Sequence, residues 1–196
     1  MKNRWYGDNR DLVKWSILTH LAKMNAATRI IQIAYFRDDS FEGIEIDGKS
    51  FEIPSEVKAH FRDIRRIEDL SSYVKISIFD TVFENRKEYL EQASNFISSF
   101  AHEQCIVFLD PDTGLEPANP NLNHVLDLEI EKLWAALKLG DVLVFYQHRT
   151  NRKGEPWIEP KRKQLEGAIG ALDGVVKIAH GLKLASDVAF FYIKKV

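Results

Sequence analysis

Apolar positions recur every three to four residues near the start of the chain, at Leu12, Val13, Trp15, Ile17, Leu18 and Leu21. This spacing predicts a first helix over 8–23, with Asp8 placed to cap it. The β-branched and aromatic run "RIIQIAYF" at 29–36 predicts a buried strand. "GIEIDGKSFEI" at 43–53 predicts an inserted β-hairpin turning at Asp47-Gly48. A charged helical pattern over 54–70 leads to the strand "YVKISIF" at 73–79, and an amphipathic helix over 84–101 leads to "CIVFL" at 105–109. A helix over 125–139, the strand "DVLVFYQH" at 141–148 and a helix over 160–171 follow, and then the strands "VVKIA" at 175–179 and "DVAFFYI" at 187–193.

Strands that alternate with helices predict an α/β fold whose mostly parallel sheet is covered by helices on both faces. The last two strands have no helix between them, which predicts a C-terminal antiparallel hairpin with its loop at 181–186. The 196 residues suit one domain, 1–196, able to bury a core without disulfides. Cys105 is the only cysteine, so the expected setting is reduced and cytoplasmic. No apolar run reaches the length of a membrane span, so no membrane partner is expected. A formal net charge of -2 implies no bulk attraction to nucleic acid and leaves that question to local patches.

In open α/β sheets, ligands bind beyond the carboxyl ends of the strands. Those ends are polar here: Arg37, Asp38 and Asp39 follow the first strand, Asp80 the next, Asp110 and Asp112 the third, and Gln147, His148 and Arg149 the fourth. Asp80 is positioned to bond the ribose hydroxyls of a nucleotide, and Gln147 and His148 to meet a base or phosphate. "DPDTG" at 110–114 also has turn chemistry, through the fixed φ of Pro111, the side chain of Asp112 and the freedom of Gly114. Asp-x-Asp at a strand end could instead hold magnesium or manganese for phosphotransfer or nuclease chemistry. The stretch 148–163 has six Arg or Lys against two Glu. Arg149, Arg152, Lys153, Lys161, Arg162 and Lys163, with Trp157 between the clusters, form a candidate RNA or DNA contact that could follow a phosphate backbone and stack a base.

Two segments together resemble the ribosomal-RNA adenine-N6 methyltransferases, and more broadly the class I methyltransferases. "YGDNRDLVKWSILTHLAK" is similar to that family's N-terminal "GNHADVLKH" segment, matching at Asn9, Asp11 and Lys14. Strand-"DPDTG"-helix-"GDVLVFYQH" is similar to its strand-"DPPY"-helix-strand arrangement. Asp110 and Pro111 match, while the second Pro and the Tyr are absent. The resemblance implies a Rossmann-like sheet, S-adenosylmethionine as cofactor near Asn9, Asp11, Lys14 and Asp80, and a catalytic edge at Asp110, Pro111, Asp112, Gln147 and His148. It implies an acceptor amine held by Asp110 and the turn after it. The family's small-residue loop after the first strand is replaced here by "AYFRDDSFEG". Three functions follow as expectations: a methyltransferase-like enzyme on nucleic acid or nucleotide, a metal-dependent phosphotransfer enzyme using Asp110 and Asp112, or a non-catalytic nucleic-acid-binding protein.

Overall fold

A computed structural model of the chain describes residues 8–37, 43–57, 63–149, 154 and 156–196. Its elements run α1 (Asn9–Met24), β1 (Arg29–Ile33), β2 (Ile44–Ile46), β3 (Lys49–Phe51), β4 (Lys75–Phe79), α2 (Arg86–Ser98), β5 (Cys105–Leu109), β6 (Gly114–Leu115) and β7 (His124–Val125). Next come α3 (Asp127–Ala136), β8 (Val142–His148), α4 (Ile158–Ala168), β9 (Lys177–His180) and β10 (Val188–Lys194).

Six strands form one sheet in the order β4-β1-β5-β8-β10-β9. β1, β4, β5 and β8 are parallel, and β10 runs antiparallel to both of its neighbours. The predicted closing hairpin is present, but its second strand lies inside the sheet and β9 forms the edge. β5 is buried along its whole length, as a central strand covered on both faces must be.

The two faces carry unequal cover. Tyr89, Leu90 and Ala93 of α2, Ile130 and Leu133 of α3 and Leu165 of α4 pack on one face, against Ile31, Val107 and Phe145. Trp15 and Leu18 of α1 pack on the other face, with Ile64 and Ile67 of a 3-10 helix, Ile64–Asp69. The continuous helix expected over 54–70 is a 3-10 helix in this part, and residues 58–62 lie outside the described residues. Its three-residue period puts Ile64 and Ile67 on one side, which suits a short segment with two apolar residues to bury.

The expected hairpin at 43–53 forms from β2 and β3. Asp47 and Gly48 both have positive φ, the backbone that a two-residue hairpin turn requires. A small parallel pair, β6 with β7, had no signal in the sequence.

Candidate functional site

The site is built where the start of α1 meets the ends of β1 and β5. Asp8 caps α1 by accepting from the backbone N–H groups of Arg10 and Asp11, which fixes where the helix begins. One turn on, Lys14 faces the sheet. Its Nζ donates to Oδ1 of Asp11 at 2.8 Å and to Oδ2 of Asp110 at 2.9 Å. Gln32 Nε2 donates to the same Asp110 oxygen at 2.7 Å. The side chains of Lys14, Asp11 and Asp110 are 5%, 9% and 3% exposed, so these are interior ion pairs. The rings of Tyr146 and Phe108 stand 5.5 and 5.9 Å from the ammonium and add attraction over their faces.

Burial alone would lower the Lys14 pKa, but the two carboxylates outweigh it and raise the pKa above the usual lysine value. Asp110 is pushed up by burial, against the pull of Lys14. One ammonium shared between two carboxylates explains both directions, because it cannot fully compensate a second buried anion.

Sequence reading brought Asp11, Lys14 and Asp110 into this group and missed Gln32. The available signal was a lone polar residue in the otherwise apolar strand β1; Gln32 is 1% exposed. Its Oε1 has no hydrogen-bond partner among the described residues.

Along the same edge, each described strand-end carboxylate meets its own cation. Arg65 donates from Nε and Nη2 to Asp80, both at 2.9 Å. Arg37 donates to Asp112. Arg10 donates from Nε to Asp187 at 3.1 Å, and this bond holds the Asp187 carboxyl below its ordinary pKa. His148 Nε2 lies 3.2 Å from the same Asp187 oxygen, and its Nδ1 lies 3.0 Å from the backbone oxygen of Arg149. Asp110 and Asp112 therefore face different cations. Among the described residues no group of three His, Cys, Asp or Glu could hold a metal ion. Asp38 and Asp39 lie outside the described residues.

Gln147 points to the opposite face from His148. It accepts from the Leu115 N–H at 2.9 Å and donates to the carbonyls of Thr113 and His148 at 3.3 and 2.8 Å. This ties β6 to β8. Gly114 has a φ of +133°, and a Cβ there would collide with the Gln147 amide, so the turn needs glycine on both counts. Pro111 is buried directly after Asp110, and Asn9 is exposed on the first turn of α1.

The basic stretch is largely engaged within the protein. Lys161 Nζ donates to the carbonyls of Leu115 and Glu116 at 3.1 and 2.8 Å and to Gln164 at 2.8 Å; burial lowers its pKa. Arg162 bonds Glu159 and Glu166, and Lys163 reaches Asp173 at 3.8 Å. Trp157 packs against the core under α4. Arg149 is exposed, and Arg152 and Lys153 lie outside the described residues.

Comparison with known protein families and with characterised proteins finds no match to this chain. No helix among the described residues is long and apolar enough to cross a membrane.

Proposed function

We propose that this protein is a class I methyltransferase-type protein, with a Rossmann-like sheet, that acts on a nucleic acid or nucleotide with S-adenosylmethionine. The observation that carries the reading is the Lys14–Asp110 bond at 2.9 Å, which spans 96 positions of sequence. It joins the two segments in which the family resemblance lies. A reversed final strand slotted between two parallel ones is also the ending that such a sheet would have.

The fit to the cofactor is uneven. Asp80 suits it, as a carboxylate at the end of β4 whose side chain is 29% exposed and whose partner Arg65 is 63% exposed and free to swing away. The turn after β1 suits it less, because Tyr35 occupies a left-handed conformation with a φ of 44° where a close backbone approach needs a small residue. When bound, the cofactor would supply a methyl group. The chain's own contribution is positional. Lys14 and Gln32 fix Asp110, Asp110 fixes the start of the Pro111–Gly114 turn, and Gln147 fixes its end. That turn would then present its backbone oxygens to an acceptor amine without reorganisation.

Calorimetric titration with S-adenosylmethionine tests the proposal. Saturable heat is expected, lost in Asp80→Ala and kept in Lys163→Ala. No heat at millimolar ligand overturns the reading. A melting temperature raised by magnesium or manganese would turn attention to the metal-dependent alternative. RNA or DNA binding that weakens with salt, without turnover, would favour the non-catalytic one.

A further inference from the structure

The second inference lies at the opposite end of the sheet and does not depend on the first. Three helices cover one sheet face, but on the other α1 leaves β9 and β10 partly bare. A cleft of about 560 Å3 opens at this end of the sheet, between the last turn of α1 and Trp134, Ile169 and Ala171 from the three-helix side. That volume falls within the range of about 300–1,000 Å3 usual for small-molecule sites.

The walls of the cleft are mostly apolar, with Asn25 among them. Leu21 and Met24 come from α1, Val142 and Tyr192 from the sheet, and Leu172 and Val175 from the connection into β9. Met24, Leu172 and Val175 are 66%, 80% and 40% exposed, so large apolar side chains are left facing solvent around one opening.

The charged side chains of the cleft have one sign. Lys177 and Lys194 line it, and no acidic side chain does. Lys177 lies opposite Tyr192 in the β9–β10 ladder, and Lys194 is two residues beyond Tyr192 on β10, so both lysines share the tyrosine's face. The neighbouring Lys195 donates instead to the carbonyls of Trp134 and Leu137. Most cations at the far end of the sheet sit against a carboxylate. Among the described residues neither Lys177 nor Lys194 has an ion-pair partner.

We propose that this cleft binds a free anionic amphiphile, a medium-chain acyl carboxylate, with its chain along Met24, Leu172 and Tyr192 and its head between Lys177 and Lys194. Apolar walls select the tail, and two lysines with no acidic side chain in the lining select the head.

Calorimetry with decanoate, decanol and decyltrimethylammonium, each below its micelle concentration, tests this. The expected result is one saturable site that prefers decanoate to decanol and decanol to the cation. Lys177→Glu/Lys194→Glu should weaken decanoate at least tenfold and reverse the preference toward the cation, and Leu172→Glu should weaken decanoate and decanol alike. All three positions are exposed, so the variants will fold. Absence of saturable binding overturns the proposal, as does decanoate binding that is indifferent to the lysine reversals. Sedimentation that finds a dimer dissociated by Leu172→Glu overturns it in favour of a second copy of the chain as the occupant.

Discussion

The two ends of the central sheet treat charge in opposite ways. At the edge formed by the carboxyl ends of the parallel strands and the start of β10, Asp80, Asp110, Asp112 and Asp187 are held by Arg65, Lys14, Arg37 and Arg10 respectively. At the other end, Lys177 and Lys194 flank an apolar cleft with no ion-pair partner among the described residues. Paired charge fixes side chains in place but is already satisfied, whereas unpaired charge at an apolar opening still has attraction to offer a ligand. The carboxyl edge therefore reads as pre-organised positioning, and the cleft as capacity to bind.

The largest expected effect is at the buried pair. Lys14→Met would leave two carboxylates in the interior without their cation and should destabilise the fold by about 3–5 kcal/mol in urea titration. Adding Asp110→Asn to that variant should restore much of the loss. If Lys14→Met alone is neutral, the paired end of the comparison fails.

Gly114→Ala comes next, at about 2–3 kcal/mol from a left-handed backbone and a clash with Gln147. Trimming Gln147 would relieve only the clash.

Asp187→Asn is smaller, at about 1 kcal/mol or less, because the pair with Arg10 is more than one-third exposed. The sign of its pH dependence is fixed. A carboxyl held below its ordinary pKa stabilises the fold at pH values above the unfolded value of about 3.9. That stability is lost as the pH falls through the lower folded value. Melting curves of the variant and the parent should thus converge on acidification.

Asp80→Asn should change stability least, by about 0–1 kcal/mol, and less still in high salt. Its effect on cofactor titration would be far larger, which separates a binding role from a structural one.

The sequence made much of the architecture legible because its strands are short apolar runs and its helices carry regular apolar stripes. "CIVFL" could hardly be anything other than a covered strand. Asp110 and Lys14 were also legible, through motif segments. Their partners were less so. Gln32 is one polar letter in β1, and Asp187 meets Arg10 only because β10 folds back beside β8, a pairing that no local pattern encodes. Gln147 shows a different limit, since adjacent residues of a strand face opposite ways and its neighbour His148 belongs to the other side. β6 and β7 are two residues each, too short to have a period. In the basic stretch, the Arg162 partners three and four residues away followed helical spacing, while Lys161's grip on the Leu115 and Glu116 carbonyls depended on tertiary packing.

The place of β10 also bears on the order of assembly. β9 leaves the ribosome before the strand that is its only neighbour in the sheet. Until 188–194 have been made, β8 keeps an unpaired, apolar edge and β9 has nothing to join. A nascent chain stalled before that point would present an open strand edge, the kind of surface that invites pairing between chains. Pairing of 188–194 with both β8 and β9 would close it in one step.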